Sequence, residues 1–163
     1  MIFVTLGTQN FKMDRVTRKI SEMIDNSDIV KEVVVQHGYS NAISNATCVS
    51  MMSSEMFENY LNKAEIVICH GGTSSIIKSL NYGNKTIVIP RLVEYKEHVD
   101  NHQLEIVEVF ESAGLISVVN NIDNLPSILK DTIENEKDTF KKIKVNFSGE
   151  LKKYIKKNIV DWI

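Results

Sequence analysis

Ile66-Val67-Ile68-Cys69-His70-Gly71-Gly72-Thr73-Ser74-Ser75-Ile76-Ile77-Lys78-Ser79-Leu80-Asn81-Tyr82 is an apolar run, a glycine pair and a helix-like segment in immediate succession. The run Ile66 to Cys69 is uniformly apolar and reads as a strand covered on both faces. Ser74 to Tyr82, closed by Gly83, carries the spacing of a helix. A strand that passes through glycines into a helix presents the unpaired first N–H groups and the positive dipole end of that helix to whatever lies in front of it, and an anion fits there. Glycine permits close approach, and the hydroxyls of Thr73, Ser74 and Ser75 add donors. The same residues also serve as a plain turn and cap, so the rest of the chain has to decide.

Upstream, Ile2 to Thr5 is a β-rich run ended by Gly7. From Lys12 to Asp25, Met13, Val16, Ile20 and Ile24 recur at helical spacing, giving a βα unit. Glu32 to Gln36 stops before Gly38, and Thr47 to Met51 is a weaker strand. Ser54 is expected to cap a short helix that buries Met56, Phe57, Tyr60 and Leu61 and ends before Ala64. Downstream, Thr86 to Ile89 is stopped by Pro90, a loop runs through Tyr95 to Val99, a helix spans about Asn101 to Ser112, and Leu115 to Val119 is the last strand.

Continuous rather than alternating apolar character means strands covered on both faces. The expected fold is therefore α/β, a Rossmann-like doubly wound parallel sheet in a single domain over residues 1–135. Ligands of such sheets bind beyond the carboxyl ends of the strands, which selects the loops Leu6 to Phe11, Gln36 to Asn41, His70 to Ser75 and Pro90 to Gln103. Residues 136–163 differ in character. They hold eight lysines and a stripe of Phe147, Leu151, Tyr154, Ile155, Ile159 and Trp162, an amphipathic helical tail that packs on the domain, docks a partner or lies near an anionic membrane surface.

The 163 residues suit one domain, and 43% hydrophobic with 25% charged residues is ordinary for a globular chain. A net charge of −2 gives no global positive field for nucleic acid. The two cysteines, Cys48 and Cys69, sit in or beside apolar runs where reduced thiols are usual. The N-terminus lacks a secretory pattern, and no apolar run approaches the roughly 20 residues that span a bilayer. A cytoplasmic location is expected. His98 and His102 stand at i and i+4 without the Glu of H-E-x-x-H and without a nearby cysteine, so no metal site is expected. The first turn, Leu6-Gly7-Thr8-Gln9-Asn10, lacks G-x-G-x-x-G and no acid ends the second strand, which disfavours an NAD enzyme.

Three motifs in order are Gly7-Thr8 after the first strand, His70-Gly71-Gly72-Thr73-Ser74-Ser75 after the fourth, and Glu97-His98-Val99-Asp100-Asn101-His102-Gln103 opening the penultimate helix. Together they resemble the nucleotide-sugar-binding half of GT-B glycosyltransferases of the peptidoglycan GlcNAc-transferase type. The chain is most similar to the small stand-alone members: the catalytic subunit of the eukaryotic dolichol-linked UDP-GlcNAc transferase and the bacterial exopolysaccharide or capsule β-1,4-galactosyltransferase subunit. The resemblance covers about Met1 to Val119. It implies a family-28-like hexosyltransferase in which His70 and Gly71 to Ser75 hold the diphosphate of a UDP-sugar. Gly7 and Thr8 close the other side, His102 and Gln103 reach the hydroxyls of the transferred hexose, by this likeness galactose, and Glu97, Asp100 and Asn101 belong to the same UDP-sugar site. No cofactor is implied, since a helix N-terminus stabilises the charge growing on UDP as a metal does elsewhere.

The likeness also implies what one half lacks. The acceptor, a polyprenyl-linked saccharide, would come on a small membrane-anchored subunit that recruits this chain to the inner face of the membrane. An inverting transfer needs a base, for which His102 and His37 are candidates and the partner another source. One position departs from the pattern: Lys78 stands eight residues after His70, where related enzymes carry an acid for the ribose hydroxyls; the alternatives are that Glu94 or Glu97 substitutes, that Lys78 contacts phosphate, or that it faces solvent. A non-catalytic nucleotide-binding module that stabilises a partner is the alternative from another class.

Overall fold

The computed structural model describes residues 1–100 and 102–134, with the backbone alone for His102. The amphipathic tail expected from residue 136 lies outside the described residues, as does Asn101.

Six parallel strands form one sheet in the order β3-β2-β1-β4-β5-β6, with β1 at Ile2–Thr5, β2 at Val33–Gln36, β3 at Thr47–Val49, β4 at Ile66–His70, β5 at Lys85–Ile89 and β6 at Ser117–Val118. The helices are α1 at Asp14–Asp25, α2 at Ser54–Lys63, α3 at Thr73–Asn81, α4 at His102–Ser112 and α5 at Leu125–Glu134. This is the expected doubly wound α/β fold. Its strand order reverses direction between β1 and β4, where Ile2 pairs Ile66 and Thr5 pairs Cys69, and the crevice of such a sheet opens at that point.

Alternate strand residues feed two apolar layers. Ile2, Val4, Val35, Ile66 and Ile68 pack with Val16, Ile20 and Met23 of α1 and Leu125 and Leu129 of α5. Phe3, Val34, Val67 and Cys69 pack with Leu61 of α2, Ile76 and Leu80 of α3, and Val107 and Phe110 of α4. Both faces of the central strands are thus sealed, which is why their sequences are apolar throughout.

Several boundaries differ from expectation. Ser53, not Ser54, caps α2, its hydroxyl accepting the Met56 N–H at 3.2 Å. Met56 is exposed rather than part of the buried face, because Phe57, Tyr60 and Leu61 form the stripe on the sheet and position 56 lies beside that stripe rather than within it. β3 and β6 are shorter than the runs that suggested them, since a parallel edge pairs only where its neighbour reaches. The loop after β5 contains a 3₁₀ turn at Val93–Tyr95, and helix α5, which the sequence reading passed over, covers the α1 face. Cys48 is half-buried and Cys69 fully buried, and both are free.

Candidate functional site

A cleft of about 480 Å³ opens at the carboxyl ends of the strands, a size suited to a nucleotide-scale ligand. Its middle is built by the β1 and β4 turns: Thr5, Gly7, Thr8 and Gln9 on one side, His70, Gly72, Thr73, Ser74 and Ser75 on the other. One end is closed by Met52, Ser53, Ser54 and Phe57 after β3 together with Lys78 of α3, and Gln103 of α4 also lines it.

Helix α3 starts inside this cleft. Gly72 is its N-cap and no side chain caps it. The Ser75 and Ile76 N–H groups both donate to the Gly72 carbonyl, at 3.0 and 3.1 Å. Among the described residues no backbone carbonyl takes the N–H of Thr73 or Ser74. These are orphan donors of a helix start, carrying the positive end of its dipole.

The His70 imidazole is wedged into the floor. Its Nδ1 lies 3.4 Å from the Thr5 carbonyl oxygen. A Cβ placed on Gly7 would meet the ring at 2.7 Å, and one on Gly72 would stand 2.4 Å from Nε2. Both glycines are therefore required by the ring, and Gly7 in addition has φ +76°, a left-handed conformation. Burial pushes the His70 pKa down to about 4, with the Arg91 charge and His98 acting in the same direction. Burial pushes the neighbouring Cys69 thiol up to about 12, so it is no nucleophile at neutral pH.

Two buried polar residues that the sequence reading did not single out hold these turns. Gln36 accepts from Thr5 Oγ1 at 2.7 Å and donates to the carbonyls of Gly7 at 2.9 Å and Ser50 at 3.0 Å. Arg91, 1% exposed, donates to the carbonyls of Leu6 at 2.6 Å, Glu97 at 2.9 Å and Phe11 at 3.0 Å. It thereby ties the β1 loop to the loop after β5.

Of the UDP-sugar residues expected between Glu97 and Gln103, the structure brings Gln103 into the cleft. Its buried Oε1 has no hydrogen-bond partner among the described residues, a condition that invites a donor. Glu97 is not brought there. Its carboxylate receives Arg15 Nε at 2.8 Å and Nη2 at 2.9 Å, and it also accepts the Leu92 N–H at 3.3 Å. Arg15 in turn stacks on Tyr95, 4.7 Å from the ring centre, so Glu97 braces the loop from beneath. Asp100 turns to His98, with Oδ1 3.1 Å from Nδ1. Gly71 is buried behind the turn, against Val107 and Gln103. His37 does not line the cleft, and its Nδ1 engages the Ser40 carbonyl at 2.7 Å. The side chain of His102, the other candidate base, and all of Asn101 lie outside the described residues.

Lys78 lines the cleft with its Nζ 3.2 Å from Glu58 Oε1 of α2 and 5.7 Å from the Phe57 ring centre. A carboxylate therefore does stand beside this position, from another helix. Glu94, one of the substitutes considered, is exposed on the 3₁₀ turn. Among the described residues no group of three or more His, Cys, Asp or Glu is placed to hold a metal ion, and no helix is long and apolar enough to cross a membrane.

Residues 1–159 match the glycosyltransferase family 28 C-terminal domain. A curated relative, the UDP-N-acetylglucosamine transferase subunit ALG13 of Kluyveromyces lactis, is 37% identical over 90 residues, 55% of this chain and 43% of that protein. Among solved structures, the glycosyltransferase SnogD of Streptomyces nogalater superposes with a TM-score of 0.67 at 17% identity, over 91% of this chain and 39% of that one. MurG of Acinetobacter baumannii gives 0.59 at 14%, over 82% and 41%. The chain spans about two fifths of the length of these proteins.

Proposed function

The chain belongs to the glycosyltransferase family 28 C-terminal-domain family, and from that membership we propose that it is the donor-binding, catalytic subunit of a two-component inverting glycosyltransferase. It takes a UDP-hexose and works with a separate subunit that presents a lipid-linked saccharide. The observation that carries this reading is the convergence, in one cleft, of the unpaired α3 amides, the Gly7 turn, His70 and the unpartnered Gln103 oxygen.

The order of the strands sets the ligand's direction. The diphosphate lies over the β1 and β4 turns, where the Thr73 and Ser74 N–H groups meet its oxygens. The nucleoside runs toward Met52 and Phe57, an apolar end suited to a base, and Phe57 is fixed there by its edge-on packing against Phe3 at 5.4 Å. The ribose passes Lys78 and Glu58, whose carboxylate is the acceptor for its hydroxyls. The hexose reaches Gln103, where a sugar hydroxyl satisfies Oε1. As the anomeric bond breaks, charge grows on the UDP oxygens, and the fixed α3 dipole stabilises it without reorganisation. No resident metal has a part in this scheme.

The match to the solved glycosyltransferases takes up about two fifths of each of them, and the described residues build the donor side. The relative named as a transferase subunit supports a partner at the membrane that delivers the acceptor and the base. Galactose is the donor we propose, on the likeness of the segment Glu97 to Gln103 to exopolysaccharide and capsule enzymes; the relative named for UDP-N-acetylglucosamine makes that sugar the second to offer. Radiolabelled UDP-galactose and UDP-N-acetylglucosamine, given with a glucosyl-lipid acceptor to the chain with and without the co-expressed membrane subunit, test this. Label transfer to lipid supports the reading. UDP binding without transfer under either condition assigns a non-catalytic nucleotide module instead.

A further inference from the structure

His70 sits where a diphosphate is proposed, yet its surroundings make it a poor partner for an anion as it stands. Nδ1 faces the Thr5 carbonyl oxygen, an acceptor, so the ring's one proton in the neutral state belongs on Nδ1. Nε2 then carries a lone pair, and it ends between Gly7 and Gly72, the two glycines that line the cleft. A lone pair repels phosphoryl oxygen, and a bare Nε2 gives the anion nothing.

Resting on the UDP-sugar reading above, we propose that His70 takes up one proton from solvent as the donor diphosphate enters, and meets it as an imidazolium through Nε2–H. The free site is set for this. Burial and the positive charge of Arg91 hold the empty-site ring neutral at pH 7. The charged or titratable groups acting on it are Arg91 and His98, from the loop after β5, with Glu97 touching Arg91 from the same loop. From β1 and the N-cap of α3, its neighbours at the ring are the uncharged Thr5, Gly7 and Gly72. A bound diphosphate reverses that balance by placing negative charge beside Nε2. The proton stays on the ring while UDP leaves, stabilising the departing charge, and returns to solvent with product release.

A UDP-sugar suits the test because its diphosphate diester has no ionisation near neutral pH. The full chain is titrated with UDP-galactose by calorimetry at pH 7 in buffers of differing ionisation enthalpy, and the affinity is followed from pH 7 to 5.5. The expected result is uptake approaching one proton per ligand and an affinity that rises about tenfold for each unit the pH falls. In ¹⁵N-histidine protein the His70 Nε2 resonance moves from the pyridine-like to the pyrrole-like region on binding, with no substitution required. His70→Gln loses the uptake and His98→Asn keeps it. Binding without proton uptake, or uptake that survives in His70→Gln, overturns this inference and leaves the UDP-sugar site standing. Absence of heat with UDP-galactose, UDP-N-acetylglucosamine and UDP removes the site and the inference together.

Discussion

Gly72→Ala isolates the packing on which the site depends. The backbone at Gly72 has φ −74° and ψ 124°, a conformation alanine adopts freely, so the cost falls on side-chain space alone. The new methyl would stand 2.4 Å from His70 Nε2 and 3.1 Å from Cδ2 and Cε1. The ring has nowhere to retreat, since Gly7 lies against its other side and Nδ1 is held by Thr5. Overpacking of this kind costs about 1–3 kcal/mol, offset by about 0.4–1 kcal/mol from the reduced freedom of the unfolded chain. A net loss of about 1–2 kcal/mol is expected in urea unfolding, with UDP affinity lowered at least about tenfold. In a His70→Ala background the ring is gone, and Gly72→Ala becomes neutral or slightly stabilising, which a double-mutant cycle reads as coupling of about 1–3 kcal/mol. Equal destabilisation in both backgrounds would refute the wedge, as would a wild-type-like Gly72→Ala.

Acid should weaken the empty protein: His70 is held near pKa 4 when folded and returns to about 6.5 when unfolded, so the unfolded chain binds more protons between those values. Stability from this group is complete above pH 6.5 and falls by up to about 3 kcal/mol as pH drops to 4; His70→Gln flattens that part of the profile in denaturant titrations. Arg91→Met strands the carbonyls of Leu6, Phe11 and Glu97, and a loss of about 3 kcal/mol or more is expected in thermal melts; Arg91→Lys retains part of it. Glu58→Gln should weaken UDP several-fold while leaving 2′,3′-dideoxy-UDP unchanged in competition binding; equal loss for both removes Glu58 from the ribose. Ser53→Ala removes the α2 cap bond to Met56 and should cost about 1 kcal/mol in urea unfolding.

The sheet was legible because its central strands are buried on both faces and so read as unbroken apolar runs. The strand-to-helix turn from His70 to Ser75 was legible because it is local. The bracing role of Glu97 was not legible because its partner Arg15 lies 82 positions away and is joined to it only by the fold. Arg91 and Gln36 gave no signal for a related reason: a polar residue at the end of a strand reads as solvated until the loops that supply its carbonyls are in place. Helix α5 did leave a mark. Pro126 at its second position, followed by Ile128 and Leu129, fits a helix start. The carboxylate beside Lys78 was invisible because Glu58 reaches it across two helices.

The central claim is that the mouth of α3 grips a pyrophosphate. Titrating ¹⁵N-labelled protein with UDP and following backbone amides tests it residue by residue. Saturable shifts are expected, largest at Gly7, Thr8 and Gly72 to Ser75, with smaller ones near Phe57 and Gln103. Shifts centred elsewhere, or none at millimolar UDP with the partner subunit present, would contradict it.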